Sequence, residues 1–373
     1  MFLRRAQWNA PTNRLTLARR AYAGELLDLT ESNPTRAGID YPLDELSAIL
    51  ARAARAPYAP EPLGIASARE AVARELGADP SEIVITASTS EAYSFLFKLL
   101  TDPGDAILTA TPSYPLLEHL ASLELIELRT FALDFHRRWE IDPLHVREAL
   151  TGRTRALVVV NPNNPTGSYV TAAEQDALAS LGVPIISDEV FHPFAFTAPA
   201  PSFVRDDVLT FTLGGLSKSA GLPHYKLGWI RVSGPGAPDA VAALELIADN
   251  FLSVATPVQV ALPELLAIAP RIRDAIRERT RTNLEALQAI VAARAEWQLL
   301  PVEGGWTAVV RVPRVVSDEE LALQFLERHG VLVHPGYFFD FDREGYFVVS
   351  LLTAPEIFRR GAERLNEGMR AEG

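Results

Sequence analysis

Short, wholly apolar runs alternate with amphipathic stretches along most of this chain. Residues 83–87, 106–109, 156–160, 183–187, 208–213 and 228–232 are apolar or β-branched runs and read as strands. Residues 66–76 place Arg and Glu on one side and Ala, Val and Leu on the other, as an amphipathic helix does. Residues 91–100, 115–123 and 172–181 read as further helices between the strands. Strands that are apolar throughout, rather than alternating, belong to a parallel or mixed sheet covered on both faces. The prediction is an α/β fold: a three-layer αβα large domain with a mostly parallel sheet. Ahead of it, residues 1 to about 40 show little periodicity. They include the polar, proline-punctuated stretch 28–36, which reads as a loop.

The pattern changes near Pro270. A long helix is predicted over 271–295, with Ile272, Ile276, Leu284, Leu287 and Val291 at helical spacing. Strands at 308–312, 331–334 and 346–351 and helices at 318–328 and 355–369 follow. They predict a smaller α+β domain completed by the N-terminal segment. The expected division is 43–270 for the large domain, and 1–42 with 271–373 for the small one.

Composition narrows the class. Hydrophobic residues make up 48% and charged residues 22%, as in folded globular proteins. A formal net charge of −12 argues against nucleic acid as a partner, because phosphate neutralisation needs clustered excess base. The arginines between Arg271 and Arg281 are interrupted by Asp274 and Glu278 and read as a solvated helix face. There are no cysteines, so disulfides, thiolate nucleophiles and Cys-based zinc sites are excluded, and no metal site is expected. No apolar segment follows Met1-Phe2-Leu3-Arg4-Arg5, and no stretch approaches the ~18 uncharged apolar residues of a membrane span. A cytoplasmic protein without a membrane partner is the expectation.

Polar clusters fall where the apolar strands end: Ser88-Thr89-Ser90, Asn161 to Gly167, Asp188 and Lys218. In open α/β sheets ligands bind beyond the carboxyl ends of the strands. Lys218 sits in Gly214-Gly215-Leu216-Ser217-Lys218-Ser219, immediately after an apolar run. A lysine delivered into a dry turn has its pKa pushed down toward the neutral amine, which can condense with an aldehyde. These residues alone leave an exposed loop lysine equally open.

Three ordered motifs go further. Asn161-Pro162-Asn163-Asn164-Pro165-Thr166-Gly167, Ser187-Asp188-Glu189-Val190-Phe191 and Gly215-Leu216-Ser217-Lys218 each follow an apolar strand. Gly221-Leu222-Pro223 and Leu227-Gly228-Trp229 come after the last. Together they resemble the fold-type I pyridoxal-phosphate enzymes, class I/II aminotransferases in particular, from about Asp28 to the C-terminus. The resemblance implies that Lys218 holds pyridoxal 5'-phosphate as an internal aldimine and shuttles a proton. It implies that Asp188 pairs with the pyridinium nitrogen and Asn164 with the cofactor O3′ oxygen. Tyr114 matches the aromatic residue that stacks on the ring. Ser88 and Thr89 match the helix start that receives the phosphate, and Tyr58 matches the tyrosine lent across a homodimer interface. For each, a bland alternative stays open: a turn carboxylate, an Asn-Pro turn, a core tyrosine, a helix cap.

Four positions depart from the family pattern. Lys226 stands where relatives place a phosphate-binding arginine, and Gly215 where many have a serine. Phe191 replaces a tyrosine that donates to O3′. Val348 occupies the place of the arginine that anchors the substrate α-carboxylate. Arg36, with Asn33 beside it in the N-terminal loop, is the candidate substitute; a solvated loop arginine is the alternative. The expected activity is transfer of an amino group between an amino acid and a 2-oxo acid. A lyase, decarboxylase or cyclising enzyme using the same cofactor is the alternative.

Overall fold

The computed structural model describes residues 11–370. The reading of Met1 to Arg5, and residues 1–10 and 371–373 of the expected small domain, lie outside them. Seven strands make the main sheet: β1 (Ile83–Thr86), β2 (Ala106–Thr111), β3 (Glu127–Ala132), β4 (Thr154–Val160), β5 (Ile185–Asp188), β6 (Thr210–Gly215) and β7 (Gly228–Ser233). Their order across the sheet is β1-β7-β6-β5-β4-β2-β3. β7 runs antiparallel to both of its neighbours, and the other pairs are parallel.

The apolar runs that predicted these strands are explained by burial on both faces. Successive side chains of a strand point to opposite sides. In β4, Val158 packs with Ile186, Phe211 and Phe95 on one face. Leu157 and Val159 pack with Leu108, Ile185 and Leu178 on the other. The three-layer α/β reading is therefore correct. β3 escaped the sequence reading because it is an edge strand in which Phe131 alone is buried. Its backbone pairing to β2, not a hydrophobic pattern, makes it a strand.

The helices that matter for the site are α1 (Leu43–Ala53), α2 (Ala66–Leu76), α3 (Thr89–Leu100), α4 (Leu216–Ser219), α5 (Thr256–Ala292), α6 (Asp318–His329) and α7 (Pro355–Arg370). The long helix begins at Thr256, earlier than the predicted 271, and runs through Pro263 and Pro270. An interior proline costs a helix about 3 kcal/mol. Leu262, Leu265, Leu266, Ala269, Ile272 and Ile276 form one buried stripe against α1 and α2 across this stretch. Burying each large apolar side chain contributes about 1.5–3 kcal/mol, so the stripe outweighs the prolines. Pro270 thus lies inside a continuous helix rather than at a break.

Beyond α5, four antiparallel strands form a second sheet: β8 (Gln298–Leu299), β9 (Thr307–Arg311), β10 (His334–Pro335) and β11 (Tyr346–Ser350), in the order β8-β9-β11-β10. Helix α6 packs its Leu321, Phe325 and Leu326 with Phe347 and Val349 of β11. Leu27–Asp28 pairs in parallel with Val331–Leu332, which brings the N-terminal loop to this unit.

Candidate active site

The register of the main sheet levels its carboxyl ends. Val160 faces Asp188, Asp188 faces Leu213, and Gly228 faces both Gly215 and Thr86. The segments that follow β1, β4, β5 and β6 therefore open at one edge.

At β6 the chain needs two glycines. A Cβ on Gly214 would sit 2.4 Å from the Trp229 indole nitrogen, and one on Gly215 would sit 3.0 Å from Gly228 Cα. The close approach of β6 to β7 crowds any side chain at Gly215. Helix α4 then carries Lys218, and Gly221 turns the chain with a φ of 67°. A Cβ there would also meet Ile272 and Ile276 of α5.

Lys218 is half-buried, and its Nζ lies 3.5 Å from the Ser32 carbonyl oxygen in the N-terminal loop. The Trp306 ring centroid lies 5.3 Å from this Nζ and that of Phe191 6.0 Å. Burial lowers the Lys218 pKa from its ordinary value, and the Glu31 carboxylate partly opposes that. Cation–π attraction to the two rings works in the same direction as Glu31.

Asp188 is the last residue of β5 and is buried. Its Oδ2 accepts from the Tyr93 hydroxyl at 3.0 Å and its Oδ1 from the Val190 N–H at 3.2 Å. Burial pushes its pKa up to about 6, against the lowering effect of those two donors.

The loop after β4 presents three asparagines that differ in occupancy. Asn161 donates to Glu189 and accepts from the Val170 N–H, and Asn163 donates to Pro112 O and Thr166 Oγ1. The Asn164 Oδ1 is buried without a hydrogen-bond partner among the described residues. Ser88 caps α3 by accepting from the Glu91 N–H at 3.2 Å, and Thr89 is the first residue of that helix.

The other sequence candidates lie further out. Tyr114 is 52% exposed and Tyr58 73% exposed. Lys226 is exposed, at a φ of 48° after a short 3-10 turn. Asn33 uses its Oδ1 on the Thr35 backbone and hydroxyl, so it shapes the loop. Arg36 is 75% exposed, with its Nε 3.7 Å from Glu31 Oε2. Val348 is wholly buried in β11, among Val309, Phe339 and Tyr346.

Sequence reasoning missed Tyr93, Trp306 and Glu31. Tyr93 lies four residues after Thr89, the helical spacing that puts it on the same face, and that signal was available. Trp306 had only the preceding Gly304-Gly305. Its position is set by the fold, which packs Phe191 and Phe194 against it with centroids 5.2 and 5.0 Å away.

Comparison with known proteins points to one family. Residues 25–365 match the family model described as aminotransferase class I and II. The chain is 29% identical over 330 residues to the aspartate/prephenate aminotransferase of Thermus thermophilus, covering 82% of each chain. It is 23% identical over 374 residues to the glutamate-pyruvate aminotransferase AlaA of Haemophilus influenzae, covering 93% of this chain and 91% of that protein. Among solved structures, the alanine aminotransferase of Pyrococcus furiosus superposes with a TM-score of 0.86 at 23% identity, covering 95% and 94% of the two chains. These relatives favour transfer over elimination, decarboxylation or cyclisation. Among the described residues no helix is long and apolar enough to cross a membrane. The chain belongs to the class I and II aminotransferases, pyridoxal-phosphate-dependent enzymes that move an amino group between an amino acid and a 2-oxo acid.

Proposed function

We propose that Lys218 and Asp188 are the catalytic pair of this aminotransferase and that the carboxyl edge of the main sheet holds its pyridoxal 5'-phosphate. The observation that carries the reading is a desolvated amine and a buried carboxylate at the ends of β6 and β5, strands that are neighbours in the sheet. The donor set fits the cofactor. An amine is present for its aldehyde. A carboxylate whose pKa is raised by burial is present for its ring nitrogen. Asn164 supplies an amide N–H donor for a ring oxygen.

Each residue then has a definable task. Lys218 Nζ would hold the group through its aldehyde and, as a free amine, would move a proton at the substrate Cα. Asp188 holds a proton on the ring nitrogen, and Tyr93 keeps that carboxylate oriented. When bound, the cofactor supplies an electron sink for the charge left on Cα. Ser88 and Thr89, at the start of the 12-residue α3, offer N–H groups and the helix dipole to a phosphate. Lys226 adds charge there without a bidentate fork. Tyr114 covers the ring face. Arg36 takes the α-carboxylate that Val348 cannot, from the loop that Asn33 shapes.

Tyr58 is 73% exposed, and we assign it to the phosphate of a neighbouring copy in a two-fold homodimer. The division into a large cofactor-binding unit, 43–270, and a small unit, 1–42 with 271–373, is part of the same reading. So is a cytoplasmic location.

Borohydride reduction followed by peptide mass analysis tests the assignment. Cofactor mass is expected on the Lys218 peptide, with none on Lys218→Ala protein, whose turnover falls at least about a thousandfold. Covalent retention by Lys218→Ala would refute it. A cofactor colour that bleaches with an amino acid and returns with an oxo acid marks transfer. Release of ammonia or carbon dioxide would select the lyase or decarboxylase alternative.

A further inference from the structure

The N-terminal loop brings an acidic group to the cleft beside Lys218. Glu31 has 27% of its side chain exposed. Its Oε1 accepts from the Asn33 N–H at 2.8 Å, and its carbonyl oxygen accepts from Ser350 Oγ at 2.6 Å. The next carbonyl, that of Ser32, is the one 3.5 Å from Lys218 Nζ. Carboxylate, loop and β11 are therefore tied together at the mouth of the site. The charge is only weakly paired in place. Arg36, the cation beside it, lies at 3.7 Å, outside hydrogen-bond range, and is mostly in water, where an ion pair is weak. Val348 adds no cation from the strand that holds Ser350.

We infer that Glu31 selects the amino donor by charge, favouring neutral or basic side chains and disfavouring dicarboxylic amino acids. The inference rests on the aminotransferase reading of this cleft. Its logic is an exchange of counter-ions. When Arg36 turns to the substrate α-carboxylate, Glu31 loses its cation while remaining three-quarters buried, which is unfavourable. A side-chain ammonium or guanidinium on the donor restores a partner. A second carboxylate places a like charge beside it. At a separation of about 6 Å and an effective dielectric of about 20, that is a discrimination of roughly 10- to 100-fold.

The test uses the holoenzyme at constant ionic strength and follows the amino-donor half-reaction by absorbance. The donors are lysine and arginine, alanine and leucine, and aspartate and glutamate. Basic donors are expected to exceed acidic ones in kcat/KM by about tenfold or more. Glu31→Gln should bring that ratio toward one, and Glu31→Asp should preserve the preference. Acidic donors reacting fastest, or an unchanged ratio in Glu31→Gln, would overturn the inference. So would an equal loss for all three classes.

Dissociation constants for glutarate and 5-guanidinopentanoate, which carry no α-amino group, separate the two readings. If no donor reacts yet these ligands sort by charge in a Glu31-dependent way, the transfer reading fails and the selectivity stands. If they do not sort, the selectivity fails by itself.

Discussion

The Tyr93 hydroxyl donates to Asp188 Oδ2 at 3.0 Å, joining the first turns of α3 to the last residue of β5. Both groups are buried, so the bond cannot be replaced by water without rearrangement. The two segments named for different tasks, phosphate reception and ring-nitrogen pairing, are therefore mechanically coupled. Tyr93 is a positioning residue in this arrangement. Its own pKa is raised, first by burial and then by Asp188, which keeps it a donor at any ordinary pH.

Replacing Tyr93 by Phe removes a donor that holds the Asp188 pKa down, so that pKa rises further. A hydrogen bond to a charged acceptor is worth about 1.5–3 kcal/mol. The expected outcome is a kcat lowered about tenfold or more near neutrality. The acid limb of the kcat/KM profile should move to higher pH. A pH–rate series on both proteins checks it, and a parallel drop at every pH would point to packing alone.

Asp188 makes a distinct prediction for the protein stripped of cofactor. Its folded pKa, about 6, lies above the ordinary 3.8. The neutral form is thus favoured by folding, and its contribution is complete below about pH 4 and lost as pH rises through 6. Asp188→Asn cannot ionise and keeps its stability. Between pH 4 and 8 the wild type should lose up to roughly 3 kcal/mol more than the variant. With cofactor bound, the order should reverse at pH 8, because the wild-type carboxylate gains a cationic partner. Thermal unfolding with and without cofactor measures both.

Gly215→Ser restores the residue that many relatives carry, and it should harm this chain. The added Cβ would stand 3.0 Å from Gly228 Cα and 3.1 Å from Leu227 O, both backbone atoms that cannot swing aside. Overpacking of this kind costs about 1–3 kcal/mol. Denaturant unfolding should show that loss even without cofactor, and an unchanged midpoint would show that β7 yields easily.

Phe191→Tyr tests the donor missing near the ring oxygen. Phe191 is half-buried with its ring edge-on to Trp306, so a para hydroxyl is a small addition. A new donor to an anionic oxygen favours the deprotonated form. The midpoint of the spectrophotometric pH titration should fall by about one unit. Identical midpoints would remove Phe191 from the site.

The sequence by itself determined the layered fold and the level of the site. Apolar runs at 156–160 and 208–213 demand burial on both faces, and polar motifs following such strands must open at one sheet edge. Asp188 ends a strand, and Lys218 and Asn164 fall in the short segments after strands, so local pattern places all three at that edge. Tertiary structure alone decided the rest. That α5 runs through Pro270 depended on a buried stripe stronger than the local proline signal. That Tyr93 reaches Asp188, that Trp306 covers Lys218 and that Glu31 joins them are contacts between segments distant in the chain. Such contacts follow from packing geometry, and no hydrophobic period in one segment encodes the side chain that another will place against it.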